Sequence, residues 1–215
     1  MENEVVFVAG IHGNERLPVK ALQDAGVKFV LGNPVAYEKN VRFLDQDLNA
    51  SFGTENETCE SKRAADLLMV IPEEKLVIDF HTTTAETEPF VIIVDKAQVD
   101  FAKSLGIKKI VLMSLNIKSG KSLINYRNGV SVELGHHEDL ENSYNLPMSI
   151  STNLGKIFEC DEYELYEVYD VIKEEGNFQN FKECNESFVP ILYGEHSYRD
   201  EGIFGLKAKS VLSFI

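Results

Sequence analysis

Short apolar runs recur along the first three-quarters of this chain and alternate with stretches of helical period, which commits it to an α/β architecture with a largely buried sheet. Val5 to Ala9 reads as the first strand. A polar, glycine-containing turn follows over residues 10–14. Leu17, Ala21 and Leu22 then recur at helical spacing until Gly26 stops them. Residues 28–31 form the next strand, closed by Asn33 and Pro34. From 41 to 59 the chain is polar and has no sustained period, and a stretch that long inside a compact domain usually carries function.

Residues 61–71 predict a helix with Ala64, Ala65, Leu67, Leu68 and Ile71 on its apolar side and Pro72 at its end. Residues 76–80 predict a buried strand that runs directly into His81 and the triplet Thr82, Thr83, Thr84. Further strands are expected at 90–94 and 109–113 around a helix near 98–105. Another strand at 130–134 carries Glu133, and a helix at 146–158 closes this unit. Beyond about Asp161 the texture changes to aromatic and β-branched residues broken by Gly176, Asn177, Pro190, Gly194 and Gly202. The expected division is therefore a larger α/β domain over 1–158 and a small β-rich C-terminal unit over 159–215.

At 215 residues and 44% hydrophobic, the chain is long enough for one substantial core. Its 21 basic and 35 acidic residues give a net charge of -14, which repels nucleic acid phosphates and anionic lipid surfaces. No apolar run approaches the roughly 18 residues of a membrane span, and no signal-like start is present, so a cytoplasmic, soluble protein is expected. Cys59, Cys160 and Cys184 lack paired spacing and point to neither a disulfide framework nor a cysteine metal site.

The chemistry concentrates where strands end. His12 and Glu15 stand in the turn after the first strand, separated by two residues, and a tight glycine-bearing turn can aim both at one point. His81 arrives from the end of a different strand, with Asp79 two residues earlier on the same face as a partner for its imidazole. Three such ligands leave one zinc position open for water, the arrangement of a catalytic site. An H-x-x-E match alone is weak in so acidic a chain. The placement at strand ends, where open α/β sheets gather their ligands, is what raises it. Glu133 sits in an apolar run, where a carboxylate is costly unless it has a partner or a task.

Residues 10–15, Gly-Ile-His-Gly-Asn-Glu, resemble the G-x-H-G-N-E signature of the aspartoacylase and succinylglutamate desuccinylase family, relatives of the zinc carboxypeptidases. Asn33-Pro34 with Ala36, the run of residues 42–49, Asp79-Phe80-His81 and Val132-Glu133-Leu134-Gly135 resemble further motifs of that family in the same order. The resemblance is strong over residues 5–136 and faint at Glu195, Tyr198 and Phe204. It implies a three-layer αβα fold of zinc carboxypeptidase type, with a mixed, mostly parallel sheet. It further implies one zinc per chain on His12, Glu15 and His81, Glu133 as general base and acid, and Arg42 polarising the scissile carbonyl. Asn49 and Tyr198 would line the substrate pocket, and Asp47 would support the loop.

The implied reaction is hydrolysis of a linear amide in an N-acyl amino acid or related small molecule. The alternatives are a carboxypeptidase acting on peptides and a metal-binding homologue without catalysis. Expected partners are the small substrate and, as an open option, a second copy of the chain; nucleic acid and membrane are not expected. The family pattern places an arginine after Asp-Leu-Asn, where this chain has Ala50. Recognition of an acidic substrate would then need a replacement cation, for which Lys118, Lys121 and Arg127 are candidates. His136 and His137 have no assigned counterpart and read as surface residues beside the site.

Overall fold

The structure, a computed structural model, describes residues 5–113, 120–154, 162–185 and 187–211. Its strands are β1 (Val5–Ala9), β2 (Phe29–Leu31), β3 (Leu76–Thr83), β4 (Phe90–Ile93), β5 (Lys109–Leu112), β6 (Gly129–His136), β7 (Glu164–Ile172), β8 (Val189–Ile191) and β9 (Gly205–Ser210). Its helices are α1 (Arg16–Asp24), α2 (Pro34–Lys39), α3 (Cys59–Val70), α4 (Val99–Lys103), α5 (Leu123–Tyr126) and α6 (Leu146–Asn153). The nine described strands form one sheet in the order β2-β1-β3-β6-β4-β5-β7-β9-β8. Neighbours are parallel from β2 through β1 and β3 to β6, and again from β4 through β5 to β7. They are antiparallel at β6–β4, β7–β9 and β9–β8, so the sheet is mixed and mostly parallel.

Strand alternation sorts the side chains into two covered faces. Phe7, Ala9, Ile78, Phe80, Val130 and Val132 pack with Val19 and Leu22 of α1, Ala102 of α4 and Ile150 of α6. On the other face Val8 and Val77 pack with Ala64 and Leu67 of α3 and Leu123 of α5. Each fully buried aliphatic side chain contributes about 1.5–3 kcal/mol, and these two helical layers fix the sheet from both sides.

The C-terminal strands extend this sheet past β5. Phe90, Ile92 and Val111 share a cluster with Tyr166, Val168, Ile191 and Leu206, so the strand-rich C-terminal quarter and the preceding region have a common core. The boundary expected between 158 and 159 lies outside the described residues, as does Cys160. Leu146 does begin a helix, which runs to Asn153; the expected continuation past 154 is also outside them. Helices α2 and α5 were not expected. At α2, Asn33 accepts from the Ala36 backbone N–H and Pro34 occupies the first turn, so residues read as a strand terminator in fact start a helix. Among the described residues no helix is long and apolar enough to cross a membrane.

Candidate metal centre and its cavity

The turn after β1 depends on two glycines. Gly10 has φ +72°, a left-handed conformation, and a Cβ there would come within 2.9 Å of Leu31 Cδ1. At Gly13 a Cβ would lie 2.1 Å from the Ala36 backbone carbon, so the turn can rest against α2 only without a side chain. The Gly13 N–H donates to the Arg42 carbonyl at 3.1 Å. This packing turns His12 and Glu15 inward at the C-terminal end of β1, and α1 begins immediately afterwards.

The third residue comes from β3. Its residues 77, 79 and 81 face away from the cluster of Ile78 and Phe80, on the side where α3 and α5 pack. His81 pairs in register with Glu133 of β6, and a bulge between His81 and Thr83 shifts the two strands by one residue just beyond. His12, Glu15 and His81 are all buried, and a ligand atom from each lies within 4.8 Å of the others.

Each histidine turns one nitrogen towards Glu15 and the other towards a second carboxylate. His12 Nδ1 is 2.8 Å from Glu15 Oε1, and its Nε2 is 3.1 Å from Asp47 Oδ1. His81 Nδ1 lies 3.4 Å from Glu15 Oε2, and its Nε2 is 2.7 Å from Asp79 Oδ2. Carboxylates behind imidazoles fix the ring orientation and raise the basicity of the exposed nitrogen. Asp79 in this role matches the sequence expectation. Asp47 does more than support its loop, since it also contacts Arg42 Nη2 at 3.3 Å and accepts from the Asn49 N–H at 2.8 Å.

Electrostatics single out Glu15. Burial alone would raise its pKa, but His12 and His81 outweigh burial and hold the carboxyl far below the usual range. Burial alone would lower His81; the carboxylates of Asp79 and Glu15 instead push it well above its ordinary value. Glu15 Oε2 is buried and has no hydrogen bond. An unsatisfied buried polar atom costs about 1–3 kcal/mol and a charged one more, a cost that a coordinated cation would remove. Two imidazole nitrogens and a carboxylate oxygen are the donor set that suits zinc, so the residues fit that ion.

Seven of the residues singled out from the sequence line one cavity of about 120 Å³: His12, Glu15, Arg42, Asn49, His81, Glu133 and Tyr198. Glu133, the fifth of the eight residues of β6, is half-buried. Asn49 is anchored by accepting from the Leu123 N–H at 3.2 Å, which ties its loop to α5. Behind that loop stands Glu60, fully buried, whose carboxylate accepts from the backbone N–H groups of Leu44, Asp45 and Gln46 and from Asn33 Nδ2.

Other residues were missed or misjudged. Glu195 lines the cavity and accepts from the Thr83 hydroxyl, the Thr84 N–H at 2.8 Å, the Thr84 hydroxyl at 3.1 Å and the Ser197 N–H at 3.0 Å. Burial would raise its pKa, yet the Ser197 and Thr83 hydroxyls and these backbone donors lower it to about 2. The threonine triplet was the available signal, because adjacent hydroxyls at a strand end demand an acceptor. Of the three candidate cations, Lys121 does not line the cavity and Arg127 donates to the backbone carbonyls of Ile71, Leu68 and Tyr126. Lys118 lies outside the described residues. The His136 and His137 rings lie 4.4 Å apart, tilted by 32°, and do not line the cavity.

Residues 2–144 match the model of the succinylglutamate desuccinylase/aspartoacylase catalytic domain. The chain belongs to this family. A probable aspartoacylase of Prochlorococcus marinus subsp. pastoris is 34% identical over 116 residues, 46% of this chain and 39% of that protein. An N-acyl-aromatic-L-amino acid amidohydrolase (carboxylate-forming) of Xenopus tropicalis is 36% identical over 107 residues, 39% of this chain and 34% of that protein. The matches thus span about two-fifths or less of those relatives' length. In structure, murine aminoacylase 3 superposes with a TM-score of 0.73 at 19% identity, covering 98% of this chain and 96% of that one. Succinylglutamate desuccinylase from Chromobacterium violaceum gives 0.72 at 18% identity, covering 97% and 84%. The fold of this family member is zinc carboxypeptidase-like α/β.

Proposed function

We propose that this chain is a zinc-dependent amidohydrolase that cleaves the amide bond of an N-acyl amino acid or a related small linear amide. The observation that carries the reading is the cavity itself. It gathers a buried His-Glu-His group, a carboxylate on the neighbouring strand and an arginine, none of which the fold's core needs. Family membership and the names of the relatives agree with a deacylase.

His12, Glu15 and His81 would hold one zinc, with Asp47 and Asp79 orienting the two imidazoles. When bound, zinc supplies Lewis acidity, which makes water a stronger acid and a carbonyl a better electrophile. Glu133 takes a proton from the attacking water as the new C–O bond forms. It returns that proton to the nitrogen as the C–N bond breaks, and the products are a carboxylate and an amine. Arg42 donates to the carbonyl oxygen as negative charge develops, where one well-placed donor contributes about 3–4 kcal/mol. Asp47 aims the guanidinium, and Asn49 and Tyr198 border the space for substrate. A homologue that only bound metal would have no use for Glu133 and Arg42 in the same cavity.

The test is a survey of N-acyl amino acids and short peptides with zinc-loaded protein, reading released amine. Turnover of N-acyl amino acids is expected. Turnover of peptides alone, or of nothing in the panel, would overturn the reading.

A further inference from the structure

The cavity changes character across the sheet. On one side of Glu133 lie the His-Glu-His group and Arg42. On the other the wall is mainly aliphatic: Ile92 from β4, Val94 just after it, Met113 just after β5, Leu192 just after β8, Ile203 just before β9 and Leu206 on it, with Ser131 of β6 paired to Ile92. Strand order fixes this succession, since β6 lies between β3 and β4, with Glu133 paired to His81 on one side and to Phe90 on the other.

Charge is distributed with equal asymmetry. Arg42 is the one lysine or arginine among the described residues lining the cavity, and it already contacts Asp47 at 3.3 Å. Glu133 and Glu195 place two carboxylates beside the aliphatic wall. Glu195 is locked in position by Thr83, Thr84 and Ser197, so it cannot swing away from an incoming anion. The α-carboxylate is common to every N-acyl amino acid; a second carboxylate on the side chain, carried to the aliphatic wall, would lose water beside Glu195 and meet no lysine or arginine among the described residues that line that wall, which is unfavourable.

We infer that the aliphatic half of the cavity receives the side chain of the departing amine, and that this side chain is apolar and uncharged, as in an N-acyl leucine, rather than acidic. The inference rests on the hydrolase reading above and adds its substrate class. The direction follows from proton delivery. Glu133 must reach the leaving nitrogen, so that nitrogen lies on the Glu133 side of the scissile carbon. Its substituent then continues away from the histidines, towards Ile92, Met113 and Leu206. The acyl group is left on the side of Arg42 and the metal ligands.

The decisive comparison uses zinc-loaded protein and three substrates that share one acyl group: N-acetylleucine, N-acetylaspartate and N-acetylglycine. The leucine compound is expected to exceed the aspartate compound in kcat/KM by about tenfold or more, the range that burial of an aliphatic side chain supports. Met113→Lys keeps a linear side chain of similar length and places a cation on the wall. It should move the leucine-to-aspartate ratio about tenfold towards aspartate. Calorimetry with free leucine and free aspartate reads the same preference without turnover. A protein that cleaves nothing but binds leucine over aspartate fails as a hydrolase and keeps this pocket assignment. Equal or stronger handling of aspartate by the wild type, in turnover or in binding, overturns the inference. So does an unchanged ratio in Met113→Lys.

Discussion

Two buried carboxylates face the same cavity, and their surroundings differ in kind. Glu15 stands between two imidazoles that are themselves backed by Asp47 and Asp79, and one of its oxygens faces His81 Nδ1 at 3.4 Å but has no hydrogen bond. Glu195 accepts from hydroxyls and backbone N–H groups at both oxygens. Both are held below the usual carboxylate range, Glu15 mainly by neighbouring charge and Glu195 by neutral donors. A depressed pKa therefore does not separate the two roles; what sets Glu15 apart is an unfilled oxygen together with two imidazoles converging on it. Glu15 belongs to a group that could hold a cation, which we propose it does, whereas Glu195 accepts at both oxygens and pins the segment carrying Tyr198 to the end of β3.

The comparison is sharpest at Glu133, the carboxylate given a chemical task. Glu133→Gln should lower turnover by at least about 100-fold while zinc content stays at the wild-type level, because the amide keeps the shape but cannot accept a proton. Steady-state kinetics beside elemental analysis reads both quantities. An active variant would make another residue the base, and a zinc-free one would move Glu133 among the ligands.

A smaller effect is expected at Glu195. A carboxyl whose folded pKa is lowered from 4.5 to about 2 adds stability that is fully present above about pH 4.5 and fades as the pH falls towards 2. The shift corresponds to about 3 kcal/mol. Urea denaturation between pH 5 and pH 3 should show wild-type stability falling with acid, and Glu195→Gln should start lower and fall less steeply. Parallel profiles for the two proteins would mean that Glu195 is not the strut described.

The contrast also explains what could be read from the sequence. The strands β1, β3 and β6 and the turn after β1 were legible because continuous apolar runs end in residues that an apolar core would not choose: His12, Glu15, His81 and Glu133. The motif glycines were legible as glycines, but only the fold shows that Gly13 rests against the α2 backbone. Helices α2 and α5, of 6 and 4 residues, are too short to display a period. Asp47 behind His12 and Glu60 behind the loop are contacts made across 35 residues of sequence and to backbone N–H groups, and neither leaves a pattern. The aliphatic wall was equally hidden, since β4, β8 and β9 meet there only once the sheet is assembled. Of the candidate replacements for the arginine absent at Ala50, Lys121 does not line the cavity and Arg127 is bonded to backbone carbonyls.

The central claim is that Glu15, unlike Glu195, is a metal ligand together with His12 and His81. The most direct measurement is zinc content by elemental analysis after chelation, reloading and removal of free metal, on the wild type and on Glu15→Gln, His81→Ala and Glu195→Gln. The account predicts one zinc per chain in the wild type and in Glu195→Gln, and loss of stoichiometric zinc in Glu15→Gln and His81→Ala, with all four proteins folded by circular dichroism. Full zinc content in folded Glu15→Gln and His81→Ala, or none in the wild type, would contradict it.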